Sequence, residues 1–180
     1  MEVILKRNDG VEKKGRFKWL DFSYLDDIVN LNENILNGIE NKEIYATTKR
    51  DEFEEYLKGN GKIIGCIVDN RLVAMGVYVA LKYDKRNYGY DLDICGDSLL
   101  EVCQIESTVV SKEFRGNKLQ RKMCEILESF GKNENMKIIS ATASPINSYS
   151  VNTFIDLGYE IVKEKKKYGG LRRYIFKKDI

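Results

Sequence analysis

Histidine is absent from the 180 residues, and proline occurs once, at Pro145. Without histidine the Ser-His and Cys-His pairs that activate a nucleophile cannot be built. The four cysteines, Cys66, Cys95, Cys103 and Cys124, include no Cys-x-x-Cys pair. A zinc site would need scattered cysteines and carboxylates, so no metal is expected. The thiols read as reduced and mostly buried. No apolar run approaches the roughly 18 residues that span a bilayer. The charged stretch Met1–Gly15 lacks the apolar core of a secretory signal. These absences give the expectation of a cytoplasmic protein that does not engage a membrane. Charge of one sign is not in excess either. Thirty Lys and Arg against 28 Asp and Glu leave a net charge of +2, which exerts no global pull on nucleic acid.

What is present is the balance of a globular chain, 43% hydrophobic and 32% charged, without repeats or low-complexity linkers. It reads as a single domain over residues 1–180, long enough for a proper core. Leu25, Ile28, Val29, Ile35, Leu36 and Ile39 recur at helical spacing and predict a helix over 24–37. Phe53, Tyr56 and Leu57 mark a shorter helix ending at Gly59. The period then changes to that of strands. Residues 62–68 and 72–83 form a hairpin about the turn pair Asp69-Asn70. Residues 83–98 read as a long polar loop, whose Tyr83, Tyr88 and Tyr90 either line an acceptor pocket or simply pack. A strand at 100–110 precedes a helix with Leu119, Met123, Ile126, Leu127 and Phe130 on one face, stopped at Gly131. A strand at 136–143, a short helix marked by Val151, Phe154 and Ile155, and strands at 159–166 and 171–178 complete the chain. The order predicts an α/β layered fold with a mixed sheet.

Two stretches carry candidate chemistry. In Val110-Ser111-Lys112-Glu113-Phe114-Arg115-Gly116-Asn117-Lys118-Leu119-Gln120 a strand gives way to a helix through a polar loop. Free N–H groups at a helix start, with the dipole behind them, favour an anion such as a pyrophosphate. Gly116 permits close approach of the backbone, and Arg115, Lys118, Arg121 and Lys122 add positive charge. Taken alone this equals an ordinary solvated helix start. In Ser144-Pro145-Ile146-Asn147-Ser148-Tyr149-Ser150, Asn147 either caps the next helix or offers its amide to a ligand.

Together, in this order, the stretches resemble the GNAT superfamily of N-acetyltransferases. The family's phosphate loop reads Arg/Gln-x-x-Gly-x-Gly/Ala. Here Arg115 matches, while Lys118 and Gln120 stand at the two small positions; against the variant Arg-Gly-Asn-Gly-Leu-Gln, five of six positions match. Farther on, Asn147 and Gly158-Tyr159 match the family's helix-opening Asn and its Gly-Phe/Tyr. The resemblance is clearest from Leu99 to Lys178 and implies a mixed, mostly antiparallel central sheet with helices on both faces. It implies acetyl-CoA as cofactor and an amine, on a small molecule or a peptide, as acceptor. The strand backbone at Thr108, Val109 and Val110 would run beside the pantetheine arm. The amides of Arg115, Gly116, Asn117, Lys118, Leu119 and Gln120 would hold the pyrophosphate. Asn147, Ser150 and Phe154 would lie near the thioester end.

Two departures stand out. Lys118 fits beside phosphates if its φ is negative. Phe154, seven residues after Asn147, replaces a tyrosine that in the family protonates the departing thiolate. That work falls to Tyr149, Ser150 or a water, or the thiolate leaves unassisted. Alternation puts Gln104, Glu106, Thr108 and Val110 on one strand face and Ile105 with Val109 on the other, unless a bulge flips the parity. Glu106 is the candidate base, against the plainer reading of a surface carboxylate. The basic run Lys163–Lys167 with Arg172, Arg173, Lys177 and Lys178, interleaved with Glu160 and Glu164, reads as a solvated hairpin face and not as a nucleic-acid patch. The expected function is direct acetyl transfer in a ternary complex by a monomer or homodimer. The alternative is an acetyl-CoA-binding sensor that has lost catalysis.

Overall fold

The computed structural model describes all 180 residues. Eight strands form one sheet: β1 (Glu2–Lys6), β2 (Glu12–Leu20), β3 (Gly61–Val68), β4 (Arg71–Val79), β5 (Val102–Val110), β6 (Ile138–Ala143), β7 (Glu160–Lys167) and β8 (Leu171–Asp179). Their order is β1-β2-β3-β4-β5-β6-β8-β7, and only β5 and β6 run parallel. Helices α1 (Leu25–Asn37) and α2 (Arg50–Glu55) cover one face; α3 (Leu119–Asn133) and α4 (Ser148–Asp156) cover the other. The expected mixed α/β sheet with helices on both faces is the observed one. No helix is long and apolar enough to cross a membrane.

Each face has its own core. Leu25, Ile28 and Leu31 of α1 pack with Phe53 and Tyr56 on Ile63, Met75, Val77 and Val79. Met123, Cys124 and Leu127 of α3 pack with Val151 and Phe154 on Ile64, Cys103, Ile105 and Phe176. At Gly76 a Cβ would lie 3.2 Å from Met123 and Leu127, so glycine sets how closely α3 lies on β4.

The β3–β4 turn is as expected: Asp69 and Asn70 take φ of 47° and 61°, the pair of left-handed residues a two-residue hairpin needs. Four details differ from the sequence reading. Strands β1 and β2 are additional, a hairpin closed around Gly10 at φ 88°. Strand β4 ends at Val79 rather than at 83. The polar loop contains two short turns of 3₁₀ helix, Tyr88–Leu92 and Gly96–Glu101. Gly131 does not stop α3. The helix continues to Asn133, and Asn135, at φ 60°, supplies the left-handed exit. Gly131 instead lets Cys103 and Ile180 pack at 3.2 Å from where its Cβ would be.

Candidate active site

The parallel pair β5–β6 is short. It runs from Val102 opposite Ile138 to Ile105 opposite Ala141. Beyond Ile105, β5 stays with β4 while β6 stays with β8, so the two strands part and the sheet opens into a V. The N–H of Ser111 donates to Val73. By antiparallel alternation Val109 and Ser107 also bond toward β4, and the backbone of Thr108 and Val110 faces the V. Thr108 and Val110 therefore present free backbone to the V. Val109 does not: its backbone is turned to β4 and its side chain is in the α1 core.

The β5–α3 loop lies at the open end of β5. From Gly116 to Arg121 no backbone N–H finds an acceptor in the protein. Such a run at a helix N-terminus makes this loop a candidate anion cradle. Gly116 has φ 85°, and a Cβ placed there would meet nothing within 4 Å. Glycine is needed here for its backbone angle, and its outer side is open. Asn117 braces the loop: its side chain accepts from Lys6 N–H and donates to the carbonyls of Lys6 and Phe114. Leu119 is buried beneath the loop. So Asn117 and Leu119 offer the cradle only backbone. Arg115 and Lys118 are exposed and free to reach an anion.

Lys118 has φ 56°, not the negative angle that would spare its Cβ. It stands where the family's loop has a glycine, and it takes a left-handed conformation that glycine adopts without strain. Lys118→Gly is expected to raise stability by about 0.5–1 kcal/mol, the left-handed penalty less the extra chain entropy of glycine. A urea midpoint that stays put or falls would show that the loop, not the residue, sets this angle.

Gln120 spans the V. Its amide donates to Thr108 Oγ1 at 3.1 Å and to Ser150 Oγ at 2.9 Å, linking β5 to α4. Asn147 caps α4: its Oδ1 accepts from Ser150 N–H at 3.3 Å, and its Nδ2 donates to no protein group. The capping reading is the observed one, and the Nδ2 group is left open to a ligand. Phe154 is 2% exposed, its ring 5.1 Å from those of Tyr159 and Phe176. Its placement at the thioester end is corrected to the core. Tyr149 is 87% exposed, and its hydroxyl touches no site residue.

Glu106 sits at a bulge. Register between β4 and β5 shifts at Val77/Tyr78, where Glu106 has no partner. The bulge flips the parity: Ile105 lies in the α3 core and Val109 in the α1 core, not on a shared face. Ser107 and Glu106 both turn toward α1 and α2. Ser107 Oγ lies 2.8 Å from the Tyr45 hydroxyl, and Glu106 accepts from the Gln104 amide at 2.6 Å. Burial pushes the Glu106 carboxyl up, against the Gln104 amide and the Tyr88 hydroxyl, which favour the anion. Tyr88 bonds in turn to the Tyr168 hydroxyl, and Tyr168 to Thr142 Oγ1 at 3.3 Å, on the β6 wall of the V. Tyr45 and Tyr168 were not singled out from the sequence. The available signal for Tyr168 was Gly169-Gly170, which marks a tight turn beside a tyrosine itself at φ 51°.

The cysteines are all free, with Cys66, Cys103 and Cys124 buried and Cys95 exposed. Burial pushes Cys66 up to about 11 and Cys103 up to about 12, so neither is a thiolate near neutral pH. The basic hairpin β7–β8 clamps the loop beside it. Lys165 and Lys167 both bond Asp91, and Lys163 bonds Asp93 at 2.8 Å.

Sequence and structure comparisons bear on this arrangement together. No protein of curated function matches the chain. Solved structures match it along most of its length. The acetyltransferase of GNAT family from Streptococcus pneumoniae is 12% identical, covering 92% of this chain and 99% of that one at TM-score 0.70. The ribosomal-protein-alanine N-acetyltransferase from Brucella melitensis is 13% identical, with 92% and 99% covered and TM-score 0.68. YncA from Salmonella typhimurium, solved with its cofactor acetyl-CoA, is 14% identical, with 92% and 93% covered and TM-score 0.69. Such low identities establish the fold. The family profile described as acetyltransferase (GNAT) family matches residues 25–159 in sequence, from α1 through the cradle to the end of α4. The profile match, running through the V-shaped sheet and the loop of unpaired N–H groups at its mouth, makes this chain a member of the GNAT acetyltransferase family.

Proposed function

We propose that the protein transfers an acetyl group from acetyl-CoA to an amine, directly and in a ternary complex. The observation that carries this is the V itself, with unpaired N–H groups at its mouth and a half-buried carboxylate at its base. The coenzyme, when bound, supplies the acetyl group as a thioester. The N–H groups from Arg115 to Gln120, with the Arg115 and Lys118 side chains, would hold its phosphates. The backbone of Thr108 and Val110 would pair with the pantetheine arm, and Gln120, Asn147 and Ser150 would offer it polar contacts.

Glu106 acts as base, taking a proton from the amine so that the nitrogen can attack. Its raised pKa suits this work near neutral pH. The departing sulfur needs a proton. The Tyr88–Tyr168 hydroxyl pair reaches from Glu106 to Thr142 and is better placed for this than exposed Tyr149. A coenzyme thiol has a pKa of roughly 8–9, so departure needs only modest help. Tyr168→Phe is therefore expected to lower turnover about tenfold, and Tyr149→Phe to leave it unchanged. The reverse result in a coenzyme A release assay would return the role to Tyr149.

The test of the whole reading is acetyl-CoA itself. At a hundredfold excess over Kd it should stabilise the fold by roughly 2.7 kcal/mol. Calorimetry without binding at millimolar cofactor would end the proposal. Binding without turnover against polyamines, amino acids, aminoglycosides and peptides would favour the sensor.

A further inference from the structure

The last hairpin is rich in cations, and nearly all of them have a carboxylate. Lys163 has Asp93, Lys165 and Lys167 share Asp91, Arg172 has Glu164, Lys177 has Asp179 and Lys178 has Glu128. Lys166 has none but is exposed, where water solvates it. Arg173 also has none, and it is 2% exposed. Its Nη1 donates to the carbonyls of Glu43 at 2.8 Å and Arg172 at 2.7 Å. Its Nη2 is buried and donates to nothing. A buried guanidinium with an idle N–H pair is unfavourable and calls for a missing partner.

The position of Arg173 says what that partner could be. On β8 it faces away from Phe176 and the α3 core, toward the side of the sheet that carries Glu106. Its guanidinium lies 5.8 Å from the centre of the Tyr168 ring, and the Tyr168 hydroxyl meets Tyr88, which backs Glu106. One tyrosine pair thus connects an unpaired cation to the candidate base. Asp91 is committed to two lysines, and Glu106 to the Gln104 amide. The Glu43 carboxylate lies near enough to attract the guanidinium but forms no ion pair with it, so the fork itself holds no carboxylate.

We infer that Arg173 is an anion site within the acceptor pocket, and that the acceptor is an amine which also carries a carboxylate. This rests on the acetyltransferase reading above. A carboxylate matches the planar fork of a guanidinium, and a fork left empty discriminates against acceptors that lack the group. Binding the carboxylate at Arg173 while the amine lies toward Glu106 would orient the nitrogen for attack. The short turn Lys42–Ile44, whose Glu43 carbonyl lies on Nη1, covers the fork and lifts to admit the ligand. Small amino acids satisfy this chemistry; the N-terminus of a protein, where the next group is an amide, does not.

The experiment uses the full chain as wild type, Arg173→Met and Arg173→Lys, and reads binding rather than turnover. The probes are pairs of acetylated products that differ by the carboxylate: N-acetyl-L-alanine with N-ethylacetamide, N-acetyl-L-tyrosine with N-acetyltyramine, and N-acetyl-γ-aminobutyrate with N-propylacetamide. Wild type is expected to bind the carboxylate member of at least one pair about tenfold or more tightly than its partner. Arg173→Met should erase that preference with an equal or higher melting temperature, because it removes a buried unpaired charge. Arg173→Lys should retain part of it. The inference is overturned if no pair shows a preference, or if the preference survives Arg173→Met. A fall in melting temperature with the preference intact would make Arg173 a brace for the Glu43 turn. Acetyl-CoA titrated into the same proteins separates the two levels: its failure to bind would remove the transfer reading, while the carboxylate preference would still be measured.

Discussion

Replacing Glu106 by glutamine is expected to lower turnover by about 10²- to 10⁴-fold and to leave the Kd for acetyl-CoA unchanged, because the role proposed for the carboxylate is on the amine and not on the coenzyme. Glutamine keeps the size and the polar end of the side chain, so Gln104 retains a partner. The pH dependence carries the sign. The Glu106 pKa is raised, chiefly by burial. Wild-type turnover should therefore rise with pH through a point above the ordinary carboxylate range, as the base loses its proton. That limb should vanish in the mutant, and the defect should shrink toward an amine pKa near ~10, where neutral substrate is already abundant. Stability moves the other way. A carboxyl whose folded pKa is raised favours the fold in its neutral form. Its contribution is full below the unfolded pKa and is lost as pH rises through the folded one. Urea melts of wild type and Glu106→Gln should diverge over that window, with the mutant less sensitive to pH. A mutant with the wild-type rate profile would make Glu106 a bystander.

Gly116→Val should weaken acetyl-CoA binding by more than about 100-fold while costing the fold about 1–3 kcal/mol, the range for a β-branched residue held at an unfavourable backbone angle. The fold cost comes from φ 85° alone, since a Cβ would meet no protein atom within 4 Å. The binding cost has a second source. The open side of Gly116 adjoins the unpaired N–H groups, where phosphate oxygens would lie, and a branched side chain would occupy it. Gly116→Ala should show the same trend, smaller on both counts. Titration calorimetry together with a denaturant melt separates the two. An unchanged Kd in a folded Gly116→Val protein would mean that the phosphates lie elsewhere.

These expectations rest on features that differ in how legible they were. The hairpin at Asp69-Asn70, the long amphipathic α3 and the polar strand-to-helix loop are local. Each follows from a turn pair, a helical period or a change of period, and each was readable from residues close together in the chain. The first hairpin was also local, with Asn8-Asp9-Gly10 at its turn, but its charges hid it. Lys14, Arg16 and Lys18 alternate with Gly15 and Phe17, and only one face is buried. Gly15 is silent in a hydrophobic pattern, although a Cβ there would lie only 2.8 Å from Leu5, so its absence is what lets Leu5 pack across the pair.

The sequence by itself determined the class of fold, the position of the polar strand-to-helix loop and the presence of a carboxylate on the strand before it. The tertiary structure decided which way that carboxylate points. Alternation predicted one face for Ile105 and Val109, and a single unpaired residue at Glu106 separated them, because a bulge depends on the register with β4 and not on β5 alone. The same holds for the proposed proton path. Tyr88 and Tyr168 are 80 residues apart and meet only because β8 folds back beside β6. Arg173 looked like one charge among many in a basic run. Its neighbours drew carboxylates from loops and helices elsewhere in the chain and it did not, and pairing over such distances is a property of packing that composition does not encode.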